Sequence, residues 1–284
     1  MVEYQQKDNY SIGDLLDIVR LLRSEGGCPW DKEQTHESIR SDFLEETCEV
    51  LEAIDLKDTA LLREELGDVL LQVVFHTRIE EEQNNFNFDE VCDEVCKKLI
   101  IRHPHVFGEV IADTSDEVLK NWDSIKMETK GQETYTDTLK SVASTLPALM
   151  RAQKVGKRAM RAGMDFRCVE DAVACISAEK AELDKAIQNN DKANMEEELG
   201  DLLFSCVNAA RHLGIDAEQA LRASTDKFIK RFAVTEELVK NDSLDMKELP
   251  IEACFYYKHL PHLNKVPIIN TLTYSFPSCF KMTY

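Results

Sequence analysis

An internal repeat constrains this chain more than any other feature of its sequence. The segment EELGDVLLQVVFHTR at 64–78 recurs as EELGDLLFSCVNAAR at 197–211, an offset of 133 residues. Extended back to Glu46 without a gap, the same offset gives fourteen identities over the thirty-three positions 46–78. This is several times what chance composition would give, so the chain holds two copies of one structural unit.

Helical periodicity dominates both copies. Ser11 followed by Asp14 predicts a capping arrangement before the first helix. With only 10 glycines and 7 prolines in 284 residues, a fold rich in strands and turns is disfavoured. We therefore predict an all-α protein, a tandem repeat of antiparallel helical hairpins. The first predicted helix follows Ser11 and stops at Gly26-Gly27. The other predicted helices lie at about 36–55, 60–82, 88–101, 115–128, 147–161, 169–188, 193–212 and 216–240.

The periodic pattern divides the chain into four segments. We predict an N-terminal helical domain at 1–126, a polar linker at 127–145 and a C-terminal helical domain at 146–246. The last segment, 247–284, holds four of the seven prolines and no helical periodicity. We expect this tail to be atypical and poorly ordered.

Charge and composition exclude several classes of protein. With 34 basic and 53 acidic residues the net charge is −19, which repels nucleic acid phosphates. No apolar run reaches the roughly 18–20 residues that a membrane helix needs, and the first residues lack the pattern of a signal peptide. The nine cysteines form no CxxC pair, as in reduced intracellular proteins. We expect a cytoplasmic protein with neither nucleic acid nor membrane as a partner.

A narrow polar stripe crosses the helix predicted at 60–82. Apolar residues cover well over half of its circumference, so we expect the helix to be buried on most sides. Glu65, Asp68, Gln72 and His76 nonetheless fall on one face. Acidic residues that interrupt an otherwise apolar helix are more typical of a binding or catalytic site than of a solvated surface.

The preceding helix supplies two more acids, Glu46 and Glu49, along one edge of its apolar stripe. About four connecting residues, 56–59, force an antiparallel hairpin and bring these glutamates against Glu65 and Asp68. Four carboxylates in a half-buried groove repel one another unless protons or cations compensate them. Oxygen ligands without histidine or thiolate favour Mg²⁺ or Mn²⁺, and four acids indicate more than one ion and a phosphate-bearing substrate.

The alternative is that these ExxE pairs are solvated surface acids, as most such pairs are. That interpretation is weaker here because both pairs recur at the same spacing in the second copy.

An ExxE motif followed by ExxD on an antiparallel hairpin resembles the all-α nucleoside triphosphate pyrophosphohydrolases, and the MazG family in particular. The resemblance spans roughly residues 11–246. It rests on GCPWD at 27–31, LEETCEV at 44–50, ELGD at 65–68, RHPHVFG at 102–108, ELGD at 198–201 and KFIKRF at 227–232. It implies a Mg²⁺-dependent reaction, NTP + H₂O → NMP + pyrophosphate, on a homodimer whose tandem helical domains form arrangements like four-helix bundles.

The resemblance also implies roles for individual residues. Beside those roles, a glutamate that the metal does not fully engage is our candidate base for the attacking water, Glu45 or Glu49 in the first copy and Glu182 in the second. Lys227 and Arg231 match basic residues that contact the triphosphate. The residues that match metal ligands are Glu46, Glu49, Glu65 and Asp68 in the first copy and Glu179, Glu182, Glu198 and Asp201 in the second.

Two positions depart from the family pattern. Glu45 becomes Ala178 in the second copy, so the first copy has the fuller acid set, whereas the resemblance favours the second as the active one. The family carries a tryptophan near the C-terminus, but the tryptophans of this chain are Trp30 and Trp122. Nucleotide binding in the second domain is therefore expected to differ.

Several residues keep two interpretations. Lys157 and Arg158, in a basic cluster with Lys154 and Arg161, either steer the triphosphate or balance nearby acids. Trp30 is either a core residue or a platform for a nucleotide base. A single ExxH motif, ending at His36, is one short of the two that a di-iron bundle needs.

The function predicted first is hydrolysis of surplus or noncanonical nucleoside triphosphates. A narrower pyrophosphohydrolase acting on dNTPs or phosphoribosyl-nucleotides is an alternative within the same class. A helical regulatory or scaffold protein with structural metal sites is the alternative from another class.

Overall fold

A computed structural model describes residues 4–110, 114, 117, 118, 125 and 132–249. Regular structure in these ranges is helical, which confirms the predicted all-α class. The chain divides into two compact units, Met1–Gly131 and Gln132–Tyr284. Most of the helix predicted at 115–128, Trp122 and the tail from 250 lie outside the described residues.

The first unit is built on two long antiparallel helices. A buried cluster of Val19, Ile39, Val74, Phe75 and Ile79 joins the N-terminal helix of the unit to the second of the two long helices. Through Ile39 the cluster also includes the segment just before the first long helix. The helices are α1 Ile12–Leu22, α2 Pro29–Glu33, α3 Arg40–Leu56, α4 Thr59–Glu82, α5 Phe88–Arg102 and α6 Pro104–Phe107.

The second unit repeats the hairpin as its own two long helices. Its first short helix lies inside 127–145, the segment predicted as a linker, and the predicted domain boundaries remain a prediction. None of the helices described in either unit is both long and apolar enough to span a membrane. The helices are α7 Tyr135–Lys140, α8 Ala148–Arg161, α9 Val169–Gln188, α10 Lys192–His212 and α11 Ala217–Asn241.

The two hairpins turn through the same backbone conformation. Lys57 ends α3 with φ 57°, in the left-handed region, and Asn190 adopts φ 53° at the position 133 residues later. The next residue in each copy, Asp58 or Asp191, caps the second helix by accepting a hydrogen bond from its first-turn amides. Only residues 57 and 58 separate α3 from α4, so the connection is shorter than the four residues predicted.

Arg23 fixes the segment that leads into α3. Its Nε and Nη2 donate to the Glu82 carboxylate at 3.1 and 2.9 Å, and its Nη1 donates to the carbonyls of Asp31 and Gln34 at 2.6 and 3.1 Å. The guanidinium also lies over the Phe75 ring, 5.2 Å from its centroid. The turn around α2 is therefore tied to the end of α4.

In the second unit, a different ion pair holds the loop that leads into the first long helix of the hairpin. Asp165, in the loop before α9, accepts hydrogen bonds from both terminal nitrogens of Arg211 and from Nε2 of His212 at 2.9 Å. Arg158 on α8 donates to the Thr138 carbonyl and to Oγ of Ser141, which ties α7 to α8.

The face of α4 beside the acids is open in the single chain. Leu66 and Leu70 are 51% and 38% exposed, and their counterparts Leu199 and Leu203 are 48% and 50% exposed. The prediction that α4 is buried on most sides is wrong for this half of the helix, because no described element of the chain covers it.

Candidate metal centre

Three glutamates of the first hairpin meet between its two helices. Glu46 and Glu49 lie one turn apart on α3, and Glu65 faces them from α4. One carboxylate oxygen from each lies within 4.8 Å of the others. All three are partly buried. We name them the first cluster; the antiparallel pairing predicted for these acids brings them together.

The charges of the first cluster act on one another. Burial raises the pKa of Glu46, and the negative charges of Asp68 and Glu49 raise it further. Burial, then the charges of Glu49, Asp68 and Glu64, raise the pKa of Glu65. Asp68 thus adds to the field of the group without belonging to the tight three-membered set.

The second hairpin assembles the equivalent group, which we name the second cluster. Oxygens of Glu179, Glu182 and Glu198 lie within 4.8 Å of one another. Burial and the charges of Glu182, Asp201 and Glu179 raise the pKa of Glu198. Glu182 and Asp201 are exposed, whereas Glu49 and Asp68 are partly buried, so the second cluster is more open.

Both clusters fit a hard divalent cation. Their donors are carboxylate oxygens, which are the ligands that Mg²⁺ and Mn²⁺ prefer. A raised pKa means that the negative charges lack compensation, and a cation would supply it. The donor set and the electrostatics therefore agree, although acidic groups of this kind also occur without an ion.

Glu45 lies outside the first cluster. Its side chain is exposed, and it is not one of the three glutamates whose oxygens are grouped. Glu64 and Glu197, which the sequence analysis did not select, raise the pKa of their neighbours Glu65 and Glu198. Their position directly before the ExxD motif in both copies was the available signal.

Three of the basic residues selected from the sequence are exposed helix residues of the second unit. Lys227 and Arg231 are exposed on α11, and Lys157 is exposed on α8. No hydrogen bond or ion pair within the described ranges joins these three to a cluster glutamate. Arg158 uses its Nη1 to hold α7, a structural contact that the sequence did not reveal.

Trp30 is not a core residue in this unit. It lies in α2 and is 60% exposed, so the interpretation of Trp30 as a core residue is wrong. Its carbonyl accepts a hydrogen bond from Nε2 of Gln34 at 2.9 Å.

The polar stripe of α4 continues past the acids into a network. Oε1 of Gln72 is buried without a hydrogen-bond partner. One turn further, Nδ1 of His76 lies 2.7 Å from Nδ1 of His36. Nε2 of His36 lies 2.6 Å from Oε1 of Glu80. The sequence analysis placed His76 on the stripe but had no signal for its partner forty residues away.

Known proteins share this pattern over most of the chain. The model of the MazG nucleotide pyrophosphohydrolase domain matches residues 34–107 and 168–233. A Thermotoga maritima protein named nucleoside triphosphate pyrophosphohydrolase/pyrophosphatase MazG is 43% identical over 239 residues, covering 84% of this chain and 91% of that protein.

Two further relatives carry the name nucleoside triphosphate pyrophosphohydrolase. The Escherichia coli K12 protein is 44% identical over 244 residues, covering 85% of this chain and 93% of its own. The Mycobacterium tuberculosis protein is 40% identical over 167 residues, covering 58% of this chain and 49% of its own.

Proposed function

Because the chain belongs to the MazG nucleotide pyrophosphohydrolase family, we propose that it hydrolyses nucleoside triphosphates to nucleoside monophosphates and pyrophosphate. The observation that carries the proposal is the recurrence of one carboxylate cluster in both hairpins, each with raised glutamate pKa values. An anionic triphosphate reaches such a site only with compensating cations.

We assign the cation to Mg²⁺, with Mn²⁺ as a substitute, on the chemistry of the donors. When bound, a divalent cation neutralises phosphate oxygens and makes water more acidic. The ligands proposed are Glu46, Glu49, Glu65 and Asp68 in the first unit and Glu179, Glu182, Glu198 and Asp201 in the second.

The glutamates of the first helix of each hairpin have a second proposed role. Glu49 and Glu182 each present more than one oxygen, so one can hold the cation while the other orients the attacking water. Glu45 is exposed beside Glu46 and is the alternative proton acceptor in the first unit. The second unit has Ala178 at that position, so its base must be Glu182.

Positive charge for the triphosphate is proposed to come from three exposed residues, Lys227, Arg231 and Lys157. Arg158 is assigned to the fold because its contacts hold α7. The accessible Trp30 ring is proposed to stack on a nucleotide base.

We further propose a cytoplasmic homodimer. The exposed leucines at 66, 70, 199 and 203 occupy equivalent positions in both hairpins, and a second copy that covered them would give each unit the burial predicted for α4. A four-helix arrangement of two paired hairpins is a common way to bury such faces. The free cysteines agree with a reducing compartment.

The test is product analysis by anion exchange with Mg²⁺ and a panel of eight nucleoside triphosphates. Wild type should release pyrophosphate and monophosphate. Glu49→Gln and Glu182→Gln remove one carboxylate from the first or the second cluster, so loss of turnover in only one variant assigns the active unit. Unchanged turnover in both, and in the double variant, would exclude these clusters as the site.

The panel also separates the alternatives. Turnover restricted to deoxynucleotides would favour the narrower hydrolase. Stabilisation by Mg²⁺ without turnover of any nucleotide would favour the scaffold protein.

A further inference from the structure

Two imidazole rings in the first unit meet edge to edge. Nδ1 of His36 and Nδ1 of His76 are 2.7 Å apart, the ring planes differ by 7°, and the centroids are 5.0 Å apart. That centroid separation equals the nitrogen–nitrogen distance plus the two ring radii, so the rings are coplanar and in line. A zinc ion in line between them would need about 4 Å, two bonds of about 2.0 Å each, so the contact is a hydrogen bond.

The proton count of this histidine pair follows from its neighbour Glu80. The Glu80 carboxylate accepts from Nδ2 of Asn85 at 2.7 Å and lies 2.6 Å from Nε2 of His36. These hydrogen bonds and the nearby His36 charge lower the pKa of Glu80, so Glu80 is ionised and His36 Nε2 must donate. One proton then lies between the two Nδ1 atoms. A second proton would place an N–H on each Nδ1 atom. Neither nitrogen could then accept, and the hydrogen bond would be lost.

The histidine pair joins the start of α3 to α4. His36 lies in the segment just before α3, and the His76 ring packs against Phe43 of α3, with centroids 5.6 Å apart. Phe43 is three residues before Glu46, one helical turn. The pair therefore sets the distance between the start of α3 and the later part of α4, and through it the approach of Glu46 to the acids of α4.

Two acids interact with the pair, Glu80 on α4 and Glu37 beside His36. Hydrogen bonds, from Asn85 and His36 to Glu80 and from the backbone and Thr35 to Glu37, lower the pKa values of these acids, and the His36 charge lowers them further. From α3 the pair meets the apolar Phe43, and from the turn after α4 it meets Asn85 through Glu80. Glu80 bonds to His36, and no hydrogen bond or ion pair among the described residues joins it to His76, so a second positive charge on the pair lacks this partner.

The second unit has no such pair. At the offset of 133, Val169, Ala209 and Leu213 stand where the first unit has His36, His76 and Glu80. The second cluster is therefore an internal control that shares the carboxylates and lacks the histidines.

We propose that His36 and His76 are positioning residues for the first cluster: one shared proton holds α3 against α4, and a second proton releases it. This role of the histidine pair deepens the proposed function. It rests on the proposed function only for the identity of the ligand that the first cluster binds. Burial, then the His36 charge, lower the pKa of His76 from 6.5. The hydrogen bond between the two histidines therefore stabilises the folded protein fully above pH 6.5. This contribution is lost as the pH falls through the lower pKa that His76 has in the folded protein.

The first test needs no metal and uses the full chain. Hydrogen exchange of the backbone amides of residues 35–46, corrected for intrinsic rates, is measured at pH 7.5 and 5.0. Wild type should lose protection at pH 5.0. His76→Asn should keep it at both values, because an amide can turn its NH₂ or its oxygen toward His36 and does not titrate. His76→Ala, which places the second unit's residue there, should lack it at both.

The second test reads the cluster with Mn²⁺ by electron paramagnetic resonance. In the variant Glu179→Gln/Glu182→Gln only the first cluster can bind Mn²⁺. In the variant Glu46→Gln/Glu49→Gln only the second cluster can bind it. Between pH 7.5 and 5.0 the first cluster should lose about fivefold more affinity than the second, the effect of one hydrogen bond. Adding His76→Asn should remove this excess.

Two results would overturn the inference: equal protection of wild type and His76→Ala at pH 7.5, or an excess pH dependence that persists in His76→Asn. If neither cluster binds Mn²⁺, the proposed metal site fails, and the exchange experiment still decides the role of the histidine pair.

Discussion

Glu46 and Glu65 lie on opposite helices of the first hairpin, yet one carboxylate oxygen of each lies within 4.8 Å of the other and of an oxygen of Glu49. Burial and the neighbouring negative charges raise the pKa values of Glu46 and Glu65, so the arrangement without a cation favours protonation. Cation binding and proton uptake therefore compete for the same three oxygens, and each prediction for the first cluster depends on this competition.

Removing one of these charges should stabilise the protein without metal. A raised pKa means that the folded protein binds more protons than the unfolded one, so stability falls as pH rises from below 4.5 through the higher folded value. At pH 7.5 with a chelator, Glu65→Gln should therefore raise the Tm. Glu52→Gln, an exposed acid on α3, is the control and should change it little.

The same Glu65→Gln change should remove stabilisation by metal. In Glu179→Gln/Glu182→Gln, where only the first cluster remains, Mg²⁺ at a hundred times its Kd should add about 2.7 kcal/mol. With Glu65→Gln in addition, scanning calorimetry should detect almost none of this gain. A full gain would mean that Glu65 is not a ligand.

Asp165→Asn should destabilise the second unit. Its hydrogen bonds with Arg211 lower the pKa of Asp165 to about 2 from 3.8, so the contribution is present above pH 3.8 and is lost as the pH falls toward 2. The loss at pH 7 should be about 1 kcal/mol, less than about 1.4 kcal/mol per pKa unit would give, because Asp165 is exposed and solvent screens the ion pair. Urea unfolding measures it, and the difference between variant and wild type should shrink at pH 2.5.

Asp184→Asn is the matched control for Asp165→Asn. Asp184 pairs with Lys180 one turn away, and both side chains are about half exposed or more, at 49% and 64%. Such a pair contributes about 0.3–0.5 kcal/mol. A loss as large as that of Asp165→Asn would point to net charge rather than to the contact with Arg211.

Gly156→Ala tests how closely α8 and α10 pack. A Cβ at this position would lie 2.9 Å from Oδ1 of Asn208 and 3.3 Å from Nε of Arg211. Asn208 is buried, so overpacking should cost about 1–3 kcal/mol, more than the gain of up to about 1 kcal/mol from helix propensity. Chemical denaturation at neutral pH measures the difference.

Gly200→Ala should have the opposite effect in an isolated chain. No atom lies within 4 Å of the added Cβ, so the helix propensity gain of up to about 1 kcal/mol should appear in full. If Gly200→Ala instead weakens self-association, a second copy approaches this glycine closely.

The leucine faces of the hairpins predict the oligomeric state. Leu66→Glu/Leu70→Glu should reduce the molar mass measured by light scattering from that of a dimer to that of a monomer, because charge cannot be buried at that face. Met164→Glu is the control, since Met164 is 79% exposed and lies in a loop. An unchanged dimer in the double leucine variant would move the interface elsewhere.

The helices and the clusters were predictable because both depend on short-range order. Period 3.6 places Glu46 and Glu49 on one edge of α3, and a short turn leaves no pairing but the antiparallel one. Even so, the turn is tighter than predicted because Lys57 adopts a left-handed conformation, which sequence favours only weakly outside glycine.

Contacts between distant segments were not predictable. His36 and His76 are forty residues apart, and Asp165 and Arg211 forty-six, so no local pattern pairs them. Arg158 was selected for its charge, but its partner is a backbone carbonyl, which composition does not encode. The openness of α4 was missed because periodicity measures apolar width and does not say which molecule covers it.

The matched left-handed residues Lys57 and Asn190 give the two hairpins equivalent turns. Since each turn has a left-handed residue followed by an aspartate cap, grafting 179–211 onto 46–78 would keep the same turn and cap between the two helices. A chimera with two identical arms would then isolate what each duplicate has acquired since they diverged.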